Sequence, residues 1–155
     1  MLENMHRHFM MTALFEAKKA ESDGEVPVGA IVVNRSDIVA SGYNQVIGRN
    51  DPTAHAEILA LKQACKIRKN YRLTDCQIYI TLEPCMMCLG AMIHARIEHV
   101  YFAALEPKAG LVYSHTRLHE IPFLNHKLKI SQGFLAKESS NLLSNFFKCK
   151  RGLNK

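Results

Sequence analysis

Two short segments of this 155-residue chain combine the residue types that bind metal ions and move protons. The first contains His55 and Glu57, and the second contains Pro84 followed by Cys85 and Cys88. Zinc in proteins prefers tetrahedral nitrogen and sulfur ligands, and a catalytic zinc site keeps one position open for water. We therefore predict that His55, Cys85 and Cys88 hold one Zn²⁺. Glu57 is the predicted catalytic residue, because a carboxylate beside the metal can carry a proton from water to a substrate.

The spacing of these residues requires each segment to begin a helix. Cysteines three positions apart lie on one face of a helical turn, and proline is favoured at a helix start. The free N–H groups and partial positive charge of a helix N-terminus favour thiolate, the form that zinc binds. Residues two apart diverge by about 200° in the middle of a helix. His55 and Glu57 can therefore serve one site only if their helix points its end at the metal.

Each part of this pattern has a simpler explanation when it stands alone. A single Cys-x-x-Cys can be half of a structural zinc site or a chance occurrence, and a single histidine on a helix is usually a packed or surface residue. The ordered combination of His-x-Glu and Pro-Cys-x-x-Cys is much rarer, and it is the known signature of zinc-dependent deaminases. The other cysteines, Cys65, Cys76 and Cys149, are interpreted as small apolar residues rather than ligands.

The rest of the chain supplies alternating strands and helices that can position the two segments. Apolar and β-branched runs predict strands, and apolar residues at helical spacing predict helices. The predicted elements are a helix over 3–22, a hairpin of strands 26–33 and 38–43, a polar loop over 44–52, a helix over 53–68, a strand over 77–82, a helix over 85–94, a strand over 98–104, a loop over 105–118, an edge strand over 128–131 and a helix over 137–150. This order predicts an α/β fold with parallel crossovers in one mixed sheet. We expect a single domain over 1–155, with a frayed basic tail over 148–155.

Composition limits the classes of partner and compartment. A net charge of +6 and a pI of about 9.1 favour polyanions such as RNA, DNA or anionic lipid, although a solvated basic surface gives the same balance. Five cysteines without a secretory signal argue against a disulfide framework and for a reducing, cytoplasmic location. No run approaches the roughly 20 apolar residues of a membrane span, so no membrane association is expected.

Several segments outside the metal-binding residues extend the pattern over nearly the whole chain. They are residues 26–30, 48, 51–58, 70–73, 81–85, 90–94, 125–126, 142–144 and 146–147. On these segments the chain resembles the bacterial tRNA-specific adenosine deaminases of the cytidine-deaminase superfamily. The resemblance implies hydrolytic conversion of adenosine to inosine at the wobble position of a tRNA anticodon, usually in an arginine tRNA. It also implies a three-layer α/β/α cytidine-deaminase-like fold with a five-stranded mixed sheet flanked by helices, one Zn²⁺ per subunit and a homodimer.

The same resemblance implies which residues contact the RNA substrate. Asn44 is expected to hydrogen-bond the flipped base, Val28 to form the pocket wall beneath it, and Ala56 to bind substrate beside them. Phe147 is expected near the anticodon loop, and Lys108 among the basic residues that hold RNA phosphates. The simpler explanation for Asn44 is a turn residue that follows the preceding strand.

The chain departs from the family pattern at several positions. Tyr43 stands where Trp is common, Gln45-Val46 where Arg-Pro is frequent, and Glu106 where Asp is usual, while residues 112–120 match poorly. The first alternative is a zinc-dependent deaminase of a free nucleobase, nucleoside or nucleotide such as cytidine, deoxycytidylate or guanine, which would share the zinc chemistry. The second alternative is a non-catalytic zinc module that binds nucleic acid, which the carboxylate beside the metal ligands opposes.

Overall fold

The computed structural model describes residues 1–153 of the chain. Its elements in chain order are α1 (Leu2–Ser22), β1 (Gly29–Asn34), β2 (Asp37–Tyr43), α2 (Val46–Arg49), α3 (Ala56–Arg68), β3 (Cys76–Leu82), α4 (Met86–His94), β4 (His99–Ala104), a 3₁₀ turn (Leu118–Glu120), β5 (Lys129–Gln132) and α5 (Ala136–Leu153). Within this part of the chain, no helix has the length and apolar character needed to cross a bilayer.

The five strands form a mixed sheet in the order β2-β1-β3-β4-β5. Strand β1 runs antiparallel to both of its neighbours, β2 and β3, whereas β3, β4 and β5 run parallel to one another. Because β2 and β3 are both antiparallel to β1, they point in the same direction. The helices that follow them, α3 and α4, therefore begin at the same edge of the sheet. This topology confirms the predicted hairpin and the parallel crossovers, and it brings the two predicted metal-binding segments to one place.

Helices cover both faces of the sheet, which confirms the three-layer α/β/α fold. On one face, Met10 of α1 and Leu142 of α5 pack in an apolar cluster with Tyr79 of β3. On the other face, Leu61 of α3 and Met92 of α4 belong to the larger apolar cluster. Burying one large apolar side chain stabilises a fold by about 1.5–3 kcal/mol, so these two cores fix the helices against the sheet.

Two glycines allow helices to approach the strands closely. A Cβ atom at Gly29 would overlap the backbone of α1 at Ala13 and Ala17. A Cβ atom at Gly42 would overlap the carbonyl oxygen of Ala56, the first residue of α3. The second contact matters for the site, because it sets the distance between β2 and the start of α3. The position of the first predicted metal-binding segment therefore depends on a missing side chain in the neighbouring strand.

A stack of aromatic and histidine rings lies on the face of the sheet that α1 covers. The ring of Tyr101 stacks on the rings of His6, Tyr79 and His99 at centroid distances of 4.6, 4.6 and 4.1 Å. The Nδ1 atom of His6 lies 2.7 Å from the hydroxyl oxygen of Tyr79, and His99 Nε2 lies 2.9 Å from the hydroxyl oxygen of Ser131. Burial lowers the pKa of both histidines, so the folded state favours their neutral forms.

The segment before α3 differs from its prediction. Residues 44–52, predicted as a polar loop, contain the four-residue helix α2. Helix α3 begins at Ala56 rather than at residue 53. The cause is a turn in which the N–H and hydroxyl groups of Thr53 donate to Asp51 Oδ1 at 2.8 and 2.7 Å. The later start makes His55 the N-cap residue, so the helix points its end at the site, as the spacing requires.

The predicted limits of β1 and α5 are also corrected. Strand β1 begins at Gly29 rather than at residue 26, because the N–H of Val28 donates to the carbonyl of Val26 in a tight turn. Residues 148–153, where the sequence predicts a frayed tail, form the end of α5. There Lys150 Nζ lies 5.5 Å from the ring centroid of Phe146, one helical turn earlier, and this contact favours continuation of the helix. Residues 154–155 of the predicted tail lie outside the described residues.

Candidate active site

The three predicted metal ligands lie together at the starts of α3 and α4. His55 is the N-cap residue of α3, Cys85 is the N-cap residue of α4, and Cys88 lies in the first turn of α4. The Nδ1 atom of His55 lies 3.7 Å from Cys85 Sγ and 3.5 Å from Cys88 Sγ. Tetrahedral ligands at normal zinc distances lie about 3.3–3.8 Å from one another. The donor set and its spacing therefore fit a zinc ion, and the three residues form a candidate metal centre.

The charge state of the two thiols also suits a metal. A hydrogen bond from Cys88 lowers the pKa of Cys85 to about 4, so Cys85 is a thiolate at neutral pH. The same hydrogen bond raises the pKa of Cys88, and a hydrogen bond with Cys85 raises the pKa of His55. Zinc binds thiolates and neutral imidazole. The protons that the cluster shares are therefore those that a bound cation would displace.

Glu57 lies in the first turn of α3, two residues after His55, and only 4% of it is exposed. Burial raises the pKa of Glu57 to about 7. A carboxyl group that titrates near neutrality can both accept and release a proton at physiological pH. Glu57 therefore has the position and the protonation behaviour needed for proton transfer beside the candidate metal centre.

A cavity of about 380 Å³ opens beside the ligand cluster, within the size range of small-molecule pockets. It is lined by Glu25, Val26, Val28, Asn44, Val46, Ile47, His55, Glu57, Leu82, Glu83, Cys85, Glu106, Ala109 and Phe147. The third ligand, Cys88, is fully buried in the first turn of α4. The lining is largely apolar with a few convergent polar groups, which is the usual composition of a binding site.

Asn44 connects the end of β2 to the start of α3. The backbone N–H of Ala56 donates to Asn44 Oδ1 at 2.8 Å, which satisfies one of the free N–H groups of the helix start. Asn44 also faces the cavity, and Val28 lies in the cavity wall. Ala56, a predicted substrate-binding residue, is fully buried, and its side chain is not part of the lining. Its contribution to the structure is the N–H group that orients Asn44.

The other two predicted substrate-binding residues lie at the outer rim of the cavity. Phe147 lines both the cavity and a neighbouring groove of about 440 Å³, which Lys108, Lys148, Lys150 and Arg151 also border. Lys108 lies outside the cavity, with its Nζ 5.9 Å from the centroid of the Phe147 ring. An aromatic ring surrounded by cationic groups is the kind of surface that binds single-stranded nucleic acid.

Glu83 is a buried carboxylate of the cavity to which the sequence pattern assigns no role, and only 2% of it is exposed. Its Oε1 accepts hydrogen bonds from the N–H of Glu106 at 3.0 Å and from the hydroxyl of Ser114. Its Oε2 accepts from the N–H groups of Val112, Tyr113 and Ser114 at 3.0, 2.9 and 3.1 Å. Burial acts to raise the pKa of Glu83, but these hydrogen bonds outweigh burial and lower it. Glu83 therefore stays ionised and holds residues 105–114, which we call the wall loop.

Glu25 has a similar place on another side of the cavity. Its carboxylate accepts hydrogen bonds from the N–H groups of Ile47 at 3.2 Å and Gly48 at 2.7 Å, which fixes α2. The sequence signal for Glu25 and Glu83 is only a charged residue next to a buried apolar strand, where an unpaired carboxylate would be costly. Their partners are mainly backbone N–H groups, which no residue type reveals, so sequence reasoning missed both.

Comparison with known proteins identifies relatives across nearly the whole chain. The sequence model of the MafB19-like deaminases matches residues 4–151. A tRNA-specific adenosine deaminase of Aquifex aeolicus is 47% identical over 141 residues, which is 91% of this chain and 93% of the relative. A tRNA-specific adenosine deaminase of Haemophilus influenzae is 45% identical over 143 residues, which is 92% of this chain and 83% of the relative.

Solved structures agree with these sequence relatives. A structure from a study of A-to-I editing by tRNA:A34 deaminases has a TM-score of 0.85 and 40% identity, covering 88% of this chain and 99% of that chain. A guanine deaminase from Nitrosomonas europaea has a TM-score of 0.75 at 24% identity, covering 90% of this chain and 83% of that chain, and it shows a shared fold. The chain therefore belongs to the MafB19-like deaminases and to the tRNA-specific adenosine deaminases.

Proposed function

We propose that this chain converts adenosine to inosine at the wobble position of a tRNA anticodon, with one Zn²⁺ bound per chain. The observation that carries the proposal is the meeting of His55, Cys85 and Cys88 with the buried Glu57 beside one cavity. The names of the relatives, which are tRNA-specific adenosine deaminases at up to 47% identity, support adenosine in tRNA as the substrate. In the balanced reaction, water replaces the amino group of adenine and ammonia is released.

His55 Nδ1 and the sulfur atoms of Cys85 and Cys88 would hold the zinc ion. When bound, zinc supplies Lewis-acid activation of water at neutral pH. Glu57 is placed to carry the two protons of the attacking water in turn, one to the purine ring, where it stays in inosine, and one to the leaving amino group, which departs as ammonia. Burial raises the pKa of Glu57 to about 7, so the carboxyl group can both accept and release a proton near neutral pH.

Asn44 and Val28 are suited to hold the flipped base. Asn44 lines the cavity, and because its Oδ1 atom accepts the N–H of Ala56, its amide N–H₂ group is available as a donor for the ring. Val28 supplies an apolar wall against which the base can lie. The target base must leave its stacked position, which costs least when it lies in a single-stranded loop. An anticodon loop meets that requirement.

The rim of the cavity is suited to the rest of the anticodon loop. Phe147 offers an aromatic surface, and Lys108 with the neighbouring basic residues offers phosphate contacts whose strength falls with salt. We propose an arginine tRNA as the substrate and the cytoplasm as the location. We also propose a homodimer, since an open apolar groove with Leu61 of α3 and Ala91 of α4 in its walls provides a surface for a second copy.

The direct test is to incubate the zinc-loaded protein with an anticodon stem-loop RNA that carries adenosine at the wobble position. We expect inosine in the RNA and ammonia in equal amounts, measured by nucleoside mass spectrometry after digestion. The same protein is offered free adenosine, cytidine, deoxycytidylate and guanine as competing substrates, and we expect the RNA to react far faster than any of them.

A matched pair of variants controls this experiment. Glu57→Gln removes the proton carrier and should abolish inosine formation, whereas Glu98→Gln changes an exposed glutamate that pairs with Lys129 at 3.5 Å and should retain it. Zinc-loaded wild-type protein that deaminates guanine or cytidine but leaves the RNA unchanged would assign the chain to the small-molecule deaminases instead. Full activity of Glu57→Gln would exclude the catalytic role of that carboxylate.

A further inference from the structure

We propose that Glu83 is a positioning residue for the RNA substrate, which acts by fixing the wall loop as the outer wall of the adenosine pocket. This inference rests on the proposed function and deepens it. Glu83 directly precedes the segment that carries the predicted metal ligands of α4, whereas the wall loop follows β4. One buried side chain therefore connects the candidate metal centre to a loop that lies more than twenty residues further along the chain.

Hydrogen bonds to the carboxylate of Glu83 connect it to the wall loop. Both oxygens of Glu83 are occupied, one by Glu106 and Ser114 and the other by Val112, Tyr113 and Ser114. All but one of these donors are backbone N–H groups, which fix the path of the loop rather than a single side chain. The 3.3 Å hydrogen bond from Leu111 N–H to the Pro84 carbonyl adds a backbone link beside them.

The loop is also shaped to receive the carboxylate. Gly110 is buried, and a Cβ atom at that position would overlap the carboxylate group of Glu83. The backbone of the loop therefore approaches Glu83 as closely as only glycine permits. Gly110 packs against the Glu83 carboxylate, and both carboxylate oxygens accept hydrogen bonds from the loop. The loop and the carboxylate therefore fit each other in one arrangement.

The wall loop itself carries residues that line or border the cavity. Glu106 and Ala109 line the cavity, and Lys108 lies exposed beside the ring of Phe147 at the rim. The Oε1 atom of Glu106 accepts the N–H of Lys108 at 2.9 Å, so the turn that carries both residues is itself fixed. Displacement of the wall loop would move this part of the pocket wall and the cationic rim together.

The wall loop includes neither Glu57 nor any of the three predicted metal ligands. Those residues belong to α3, α4 and their N-caps, which pack in the larger core, and Val112 is the one buried residue that the wall loop contributes to that core. Loss of the Glu83 anchor should therefore impair RNA binding more than the chemical step. The kinetic signature of the role is a rise in KM with a smaller change in kcat.

The test compares Glu83→Gln with Glu98→Gln, which changes an exposed glutamate outside the pocket. Steady-state kinetics are measured on the zinc-loaded proteins with an anticodon stem-loop RNA, and zinc content is measured by mass spectrometry. Because the amide side chain places an N–H₂ group against backbone donors, we expect KM to rise by roughly tenfold in Glu83→Gln. We expect a smaller change in kcat, unchanged zinc content, and wild-type kinetics for Glu98→Gln.

Hydrogen exchange measures the hydrogen bonds between Glu83 and the wall loop independently of activity. In Glu83→Gln, the backbone amides of Glu106 and of residues 112–114 should exchange faster than in the wild type, while those of α3 should not change. Ser114→Ala removes the one side-chain donor to the carboxylate, and Gly110→Ala pushes a methyl group against it. Both should raise KM even if Glu83→Gln does not fold, and Ser140→Ala on the exposed surface of α5 is their control.

The outcomes separate this inference from the proposed function. If the wild type forms inosine but KM is unchanged in the folded variants, the role of Glu83 in positioning the RNA is overturned, whatever the exchange rates. Loss of kcat at constant KM, or loss of zinc, would likewise overturn it, because the residue would then act on the metal centre. If the wild type forms no inosine, the proposed function itself is contradicted.

Discussion

Among the buried glutamates that border the cavity, Glu57 and Glu83 have different surroundings. Glu57, at the start of α3, is 4% exposed, and burial raises its pKa to about 7. Glu83, at the end of β3, is 2% exposed, yet hydrogen bonds from the wall loop outweigh the effect of burial and lower its pKa. Equal burial therefore does not decide what a carboxylate does. The supply of donors decides: few donors leave a group that can exchange a proton, and many donors create a fixed anchor.

The largest difference between the two glutamates should appear in the rate of the chemical step. Glu57→Gln keeps the shape of the side chain but cannot carry a proton, so kcat should fall by about 10²–10⁴-fold. KM and the exchange rates of the wall-loop amides should stay close to those of the wild type. Single-turnover kinetics on the stem-loop RNA give the rate of the chemical step directly. A loss of activity that comes with a disordered wall loop would mean that the two glutamates are not separate in function.

The next largest difference should appear in the free energy of unfolding. Glu83→Gln leaves buried backbone donors without an acceptor, which costs about 1–3 kcal/mol. Glu57→Gln replaces a group whose burial already opposes its charge, so no loss of stability is expected from it. Urea unfolding of the two variants and the wild type measures both effects. Equal destabilisation by the two substitutions would show that the donors around Glu83 do not distinguish it from Glu57.

The two glutamates should also give opposite slopes of stability against pH in the metal-free protein. The folded-state pKa of Glu83 is lowered, so its contribution is present above about pH 4.5 and is lost as the pH falls further. The folded-state pKa of Glu57 is raised to about 7 from 4.5, so its contribution is present below about pH 4.5 and is lost as the pH rises towards 7. Urea unfolding of each variant against the wild type, repeated across this range, measures the two slopes. Slopes of the same sign would contradict the comparison.

The smallest effect should come from the opposite face of the sheet. Burial lowers the pKa of His6 below its ordinary 6.5, so its contribution to stability is present above pH 6.5 and is lost as the pH falls. His6→Gln should flatten this part of the curve, while His99 keeps a residual slope in the same direction. Thermal unfolding across that pH range measures the change. An unaltered curve would show that protonation of His6 is not coupled to folding, and inosine formation should be unaffected in either case.

The metal centre could be predicted from the sequence because each of its parts has a distinctive residue type. A histidine, two cysteines and a proline at helix starts carry their chemistry in their side chains, and the alternating strands and helices require both helix starts to lie at one sheet edge. The hairpin and the parallel crossovers follow from the same apolar patterns. The structure confirms the hairpin and the crossovers, and it brings the three predicted ligands together.

The wall loop could not be predicted, because mainly backbone groups rather than distinctive side chains attach it to Glu83. Residues 112–114 contribute backbone N–H groups to Glu83, and such groups are the same in every residue type except proline. The sequence predicts too early a start for α3, because the residues of the turn at Asp51 and Thr53, which side-chain hydrogen bonds hold, resemble a helix start. The sequence predicts too early an end for α5, because basic residues at a chain end do not indicate that Lys150 packs on Phe146.

The most direct test of the division between the two glutamates is one kinetic experiment on the zinc-loaded wild type, Glu57→Gln and Glu83→Gln with the same adenosine-containing stem-loop RNA. The structure predicts that inosine formation by Glu57→Gln loses kcat, while Glu83→Gln keeps most of its kcat and needs a higher RNA concentration to reach it. A Glu57→Gln protein that retains the wild-type kcat, or two variants with the same loss of kcat at constant KM, would contradict the account.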